Sequence, residues 1–316
     1  MDEVAARSYP LALTITSRTP VSVIPGGHPE GMSRQWSLIG APSSAGAHTP
    51  GVEKAPAALR AAGLVEALAG VTDLGDVPGF RWRPDPLRPT AQNAPVVARV
   101  ARDVAAAVAA APGIPLVLGG DCTVTLGLVA GVGAPALVYV DGGPDLYTPQ
   151  TRANGNLDAM GLAHMLGLPG TEPAVTAVAA APPMLTADRV VVYGDDLPPG
   201  DPERDLVDSL GLTYVPGAEV HAAAAQAATR ARAAAECAAE RFVVHFDVDV
   251  LAFADAPFAD VPEPLGLSLE EAGTTLSILT ASPQFAGLTV TEVNPDHLPE
   301  PSDLRPLVAM LAKALT

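Results

Sequence analysis

Four short apolar runs, each ending in a polar or acidic motif, constrain this chain more than any other feature. Ile114-Pro115-Leu116-Val117-Leu118 runs into Gly119-Gly120-Asp121-Cys122-Thr123, and Ala136-Leu137-Val138-Tyr139-Val140 runs into Asp141-Gly142-Gly143-Pro144-Asp145. Arg241-Phe242-Val243-Val244 precedes His245-Phe246-Asp247-Val248-Asp249, and a last run near the C-terminus, expected as a strand from Leu288 to Glu292, closes on Val290-Thr291-Glu292-Val293-Asn294-Pro295. Strands exposed on one face alternate apolar and polar residues, whereas continuous runs mark strands covered on both faces, as in a parallel sheet. Further strand-like segments lie at Ser37 to Gly40, Val71 to Leu74, Arg189 to Tyr193 and Leu212 to Val215, with helix-like stretches between them at Ala55 to Ala67, Pro95 to Ala111, Asp205 to Leu210, Ala218 to Ala239, Leu269 to Thr280 and Leu304 to Leu315. The alternation predicts an α/β fold: three α/β/α layers around a mostly parallel sheet of about eight strands.

Chemistry gathers where those runs end. Side chains on a strand alternate faces, so His245, Asp247 and Asp249 are expected to point one way. Asp141 and Asp145 sit where their strand is finishing, at the carboxyl edge on which open parallel sheets collect ligand groups. Four carboxylates converging on one edge repel each other unless a cation neutralises them, and a divalent metal held by oxygen ligands is the usual one. Should no metal be held, His245 on the same strand is the expected internal partner, its ring meeting Asp247 or Asp249; Arg81, Arg83 and Arg152 are the loop alternatives.

In this order the four segments resemble the ureohydrolase family of arginases, agmatinases and guanidinobutyrases, whose motifs read Gly-Gly-Asp-His, Asp-Ala-His-x-Asp, Ser-x-Asp-x-Asp and Glu-x-Asn-Pro. The opening Gly40-Ala41-Pro42, with Gly46, Gly51-Val52-Glu53, Pro56 and Leu59-Arg60, and the later Asp73-Leu74-Gly75-Asp76-Val77, are similar to further family motifs. The resemblance covers the chain from Trp36 to its end, and implies an arginase-like fold and a site in which two histidines and four aspartates hold two manganese ions. At the two histidine positions this chain has Cys122 and Gly143, and at the family's serine it has His245. The resemblance therefore implies Cys122, Asp141, Asp145, Asp247 and Asp249 as metal ligands, with His245 as a replacement. It implies Glu292 as a substrate-binding carboxylate and places Asp195 and Asp196 near the substrate's amino end. Asp158, in Asn154-Gly155-Asn156-Leu157-Asp158, stands in the loop that carries a catalytic histidine in arginase. Asp145, Asp158 and Glu292 are the expected catalytic residues.

Plainer readings stand beside these. Cys122 suits a small buried thiol as well as a ligand, and neighbouring carboxylates argue against a nucleophile by raising a thiol's pKa. His245 lies two residues deeper than Asp247, where a histidine is more often a hydrogen-bonded core residue than a ligand. His164 reads as a helix-face residue, and His48, His221 and His297 receive no role.

Composition narrows the partners. A formal net charge of −17 leaves no basic footprint for nucleic acid or an anionic membrane and suits a small cationic or nitrogenous substrate. No apolar run reaches the roughly 20 residues of a membrane-spanning helix. Two cysteines, Cys122 and Cys237, far apart in sequence, point to a reducing cytoplasm and not to a disulfide framework. Residues 1–34, rich in proline and glycine, are expected as an N-terminal extension, an arm in a homo-oligomer, ahead of a single arginase-like domain over 35–316.

The expectation is a hydrolase of a non-peptide C–N bond in a guanidino or amidino compound, not a true arginase. Its depleted site would use one divalent metal (manganese, iron or zinc) or none. The alternative is a metal-free arginase-fold protein with a non-hydrolytic catalytic, ligand-binding or pseudoenzyme role.

Overall fold

A computed structural model describes residues 34–316 except 134 and 262. The expected N-terminal extension therefore lies, but for Arg34, outside the described residues. Eight strands form one sheet: β1 Trp36–Gly40, β2 Thr72–Asp76, β3 Ile114–Leu118, β4 Ala136–Val140, β5 Val190–Tyr193, β6 Thr213–Val215, β7 Phe242–Asp247 and β8 Phe285–Thr291. Their order is β2-β1-β3-β8-β7-β4-β5-β6. Each pairing between neighbours is parallel.

Both faces of the central strands are covered, as the continuous apolar runs require. In β4, Ala136, Val138 and Val140 face one core, while Leu137 and Tyr139 face the other. In β7, Phe242, Val244 and Phe246 enter the first core and Val243 enters the second. Helices Gly217–Ala238, Leu269–Thr280 and Arg305–Leu315 supply Ala231, Leu276 and Leu311 to the first. Helices Ala94–Ala110 and Thr125–Val132 supply Val97, Val104 and Val129 to the second. The alanine runs become helices that pack close to the sheet, since alanine adds little bulk and loses no side-chain entropy.

The strand order determines where ligands can be held. From β3 the chain crosses to β4 and leaves two places between them, which β7 and β8 fill later. The carboxyl ends of β3, β8, β7 and β4 thus lie side by side at the point where the winding direction changes, the usual ligand crevice of an open parallel sheet.

Three local expectations are corrected. β8 starts at Phe285 instead of Leu288, because Phe285 pairs with Phe242 and Gly287, which breaks the apolar pattern, packs against Pro115. Helix Pro202–Leu210 starts before Asp205, where the Asp201 side chain accepts from the backbone of Glu203 and Arg204 with proline in the first turn. The third bears on the site: β7 ends at Asp247, and Val248–Val250 forms a 3₁₀ turn. Asp249 therefore does not share the strand alternation of His245 and Asp247.

Truncating Phe246→Ala, fully buried between β7 and the helices, should lower unfolding free energy by about 3–5 kcal/mol. Leu87→Ala, at a side chain 87% exposed, should stay within ~0.5 kcal/mol. Urea denaturation checks both.

Candidate metal centre

Each of the four central strand ends delivers a functional group through a tight turn. After β3 the backbone of Gly120 meets the Ser43 carbonyl so closely that a Cβ there would lie 1.8 Å from its oxygen. The Asp121 carboxylate then accepts from Thr123 N at 3.1 Å and from Gly46 N at 3.0 Å. It is spent on anchoring the opening loop, which leaves Cys122 as the group this turn presents. Cys122 N–H donates to Asp158 Oδ1 at 2.6 Å, and its sulfur lies 2.6 Å from Asp247 Oδ2 and 3.4 Å from Thr291 Oγ1.

After β4, Asp141 Oδ1 accepts from Gly143 N at 2.8 Å, while Oδ2 lies 3.2 Å from His245 Nε2. Asp145, at φ 50°, accepts the Tyr139 hydroxyl at 2.5 Å. On β7, His245 is fully buried. Its Nδ1 lies 2.7 Å from Thr125 Oγ1. Its ring stacks on Tyr139 with centroids 4.1 Å apart. Asp247 Oδ1 accepts from Asp249 N at 2.8 Å, and Asp249 Oδ1 accepts from Gly142 N at 3.1 Å. At the end of β8, Glu292 is 4% exposed with φ 63°, and its Oε1 has no hydrogen-bond partner among the described residues.

Two donor groups result. One ligand atom each from Cys122, Asp141, His245 and Asp247 lie within 4.8 Å of one another, and so do atoms from Cys122, Asp158 and Glu292. Asp145 and Asp249, expected among the ligands, stand beside the first group and outside it. Above lies a cavity of about 260 Å³ whose lining includes Asp141, Asp145, Asp158, Asp247 and Asp249, with Glu203 and Glu263 added. A larger cavity, about 520 Å³, lies between helices Leu269–Thr280 and Arg305–Leu315, away from these strand ends.

Electrostatically the edge is under-neutralised. Burial, then neighbouring carboxylates, hold Asp141, Asp145, Asp247 and Glu292 well above the usual carboxylate range. Burial likewise pushes Asp121 and Asp249 up to about 6 and Asp158 up to about 8. The Cys122 thiol is raised first by burial and then by Asp247. His245 was expected to bring a positive charge to Asp247 or Asp249, and that expectation is corrected on two counts. Its ring meets Asp141 on the neighbouring strand, because β4 lies directly beside it, and burial pulls its pKa down to about 3, so the imidazole is neutral. The Thr125 hydroxyl on Nδ1 suits either tautomer, since it can donate or accept.

The loop arginines are mostly engaged elsewhere. Arg81 pairs with Glu53, Arg83 stacks over Phe80 with its guanidinium 5.4 Å from the ring centre, and only Arg152 lines the cavity, 4.8 Å over Tyr147. His48, for which no role was expected, also lines it, as does Glu203; nothing in their local patterns distinguishes them from surface residues. His164 bonds Met160 O and Glu172 N through its two ring nitrogens, a structural role in keeping with a helix-face residue. Asp195 accepts from Tyr214 Oη and Leu197 N, and Asp196 from Ala218 N, contacts that fix the loop after β5.

Sulfur, imidazole and two carboxylates in one buried group, with a carboxylate oxygen lacking any partner beside them, fit a borderline-soft divalent ion. The sheet, wound both ways from the switch point at which this edge lies, defines a three-layer α/β/α protein with its ligand groups at the strand ends. The chain is a member of the arginase family, whose sequence model matches residues 34–314. Arginase-1 of Oryctolagus cuniculus is 31% identical over 278 residues, 83% of this chain and 86% of that protein. The arginase of Brevibacillus brevis is 30% identical, covering 89% and 97%. The Bacillus caldovelox arginase structure superposes with TM-score 0.78 at 26% identity, covering 89% of this chain and 98% of that one. A formimidoylglutamase and a proclavaminate amidino hydrolase share the fold at TM-scores 0.69 and 0.67.

The raised carboxyls fix the sign of a pH effect. A group whose folded pKa exceeds its ordinary value favours folding most fully below that ordinary value, and loses this contribution as pH rises through the folded one. The loss begins in the ordinary carboxylate range and is complete above about 6 for Asp121 and Asp249 and above about 8 for Asp158. Chelator-treated protein should therefore be less stable at about pH 8.5 than at about pH 5.5, by on the order of a few kcal/mol. Thermal melts at the two pH values, with and without zinc, check this; zinc should reverse the trend.

Proposed function

We propose that the chain hydrolyses a non-peptide C–N bond of a small cationic substrate of the guanidino or amidino type, with a divalent ion held by Cys122, Asp141, His245 and Asp247. The observation that carries this reading is the four-donor group, of which Cys122, Asp141 and Asp247 line an acid-walled cavity and His245 lies buried behind them. Family membership supports a hydrolase in general terms, and the net charge of −17 favours a cation as substrate.

The donor types favour zinc or iron over manganese, because thiolate and imidazole are softer ligands than the carboxylates manganese prefers. When bound, such an ion would acidify a water molecule and polarise the scissile group. The protein's own residues supply the rest. Asp145, its Oδ2 accepting from the Tyr139 hydroxyl and its affinity for a proton raised by burial, lines the cavity and is placed to donate to a departing amine. Asp158 and Glu292 add two further carboxyl groups beside Cys122. Thr125 acts through His245: its hydroxyl holds the ring orientation while the opposite nitrogen faces Asp141.

In this reading the family's manganese pair is not formed. Gly143 has no side chain to offer, and Asp249 has left the strand to bond Gly142 N. Protein purified without chelator should carry zinc or iron; two tightly held manganese ions per chain would contradict the assignment, and no retained ion at all would favour a metal-free, non-hydrolytic role.

Urea should not be released from L-arginine in the presence of manganese at the ~1–1000 s⁻¹ usual for enzymes. A colorimetric urea assay checks this, and turnover in that range would contradict the reading. Thr125→Val should weaken zinc binding about 10–100-fold with folding retained, as read by competition with a chromophoric chelator.

A further inference from the structure

We propose a second cation position at this edge, formed by Cys122, Asp158 and Glu292 and joined to the first by the Cys122 sulfur as a shared ligand. The inference rests on the reading of Cys122, Asp141, His245 and Asp247 as a metal site. It adds an ion at a place distinct from the Asp141/Asp247/Asp249 position that the family resemblance implies.

Geometry carries it. The three donors lie within 4.8 Å of one another, and Cys122 belongs to both groups. Glu292 is almost wholly buried, yet its Oε1 meets no donor among the described residues, and a buried carboxylate oxygen without a partner is costly. The carboxylate is also held there against backbone preference: Glu292 sits at φ 63°, a left-handed conformation uncommon for a residue with a Cβ. Its N–H bonds Gly120 O at 2.9 Å, which ties this turn to the one that presents Cys122. Asp158 is fixed to the same turn through Cys122 N–H at 2.6 Å. Three donors from three segments are thus locked around one point.

The position implied by the resemblance lacks such a set. Gly143 offers no side-chain donor, and Asp249 joins neither donor group among the described residues. The second charge therefore shifts toward Glu292. A thiolate has lone pairs for two ions, and its softness selects the zinc class. On binding, the Cys122 S–H bond breaks, the proton passes to solvent and the sulfur keeps the electron pair. No redox partner is involved.

Cobalt(II), a spectroscopic stand-in for zinc, tests this on the full chain after chelator treatment. Titration is followed by the thiolate-to-cobalt charge-transfer band in the near ultraviolet and by elemental analysis. The expected result is two equivalents bound by the unmodified protein. Glu292→Gln and Asp158→Asn should each bind one and keep the band. Asp249→Asn should still bind two, and Cys122→Ser should lose the band. One equivalent in the unmodified protein, or two retained in both Glu292→Gln and Asp158→Asn, overturns the second position and leaves the first intact. A drop to one in Asp249→Asn would return the second ion to the family position and also overturn it. No cobalt bound at all would overturn both this inference and the metal reading beneath it. Circular dichroism verifies folding of each variant; should either fail to fold, an anomalous difference map from zinc-grown crystals of the unmodified protein decides, with a peak beside Glu292 expected and its absence contradicting the proposal.

Discussion

Mutual repulsion among buried carboxylates is the constraint around which this molecule is organised. Asp141, Asp145, Asp247 and Glu292 are brought to adjacent strand ends and removed from water, and neighbouring like charges raise the affinity of each for a proton. Packing alone would not favour such a grouping, since unpaired buried charge opposes folding. Protonation relieves it at low pH, and a divalent ion with displaced protons relieves it at neutral pH. The absence of a positive charge from His245 sharpens the requirement, because the imidazole closest to the cluster is neutral and offers a lone pair instead of a cation.

The fold bears this strain because everything around the edge is rigid. Two cores cover the sheet, and the four strands that present the site are its middle four. The turns are locked by contacts that use up the neighbouring polar groups: Asp121 on Gly46 and Thr123, Asp249 on Gly142, Thr125 on His245. In the donor group around Cys122, Glu292 Oε1 remains without a partner among the described residues. Local destabilisation at a site, supported by a well-packed scaffold, is the usual relation between stability and activity.

Much of this was legible in the sequence, for a physical reason. Continuous apolar strands advertise a doubly covered sheet, and all eight expected strands are present, displaced by a few residues at most. The acidic strand ends were equally plain. What periodicity cannot reveal is where alternation stops. Asp249 looks like the strand mate of Asp247 until the chain tightens into a 3₁₀ turn one residue earlier. Nor does it tell which neighbour a side chain meets across the sheet: His245 faces Asp141 because β4 and β7, about a hundred residues apart in sequence, pair with Tyr139 opposite His245. His48 and Glu203 reach the cavity from a loop and a helix whose patterns carry no mark of it.

The most direct test is zinc K-edge X-ray absorption on protein loaded with one equivalent of zinc. A shell containing one sulfur at ~2.3 Å together with nitrogen and oxygen at ~2.0–2.2 Å is the predicted result, since Cys122, His245, Asp141 and Asp247 form the group with the most donors. A shell of oxygen and nitrogen alone would place the ion away from Cys122 and contradict the account.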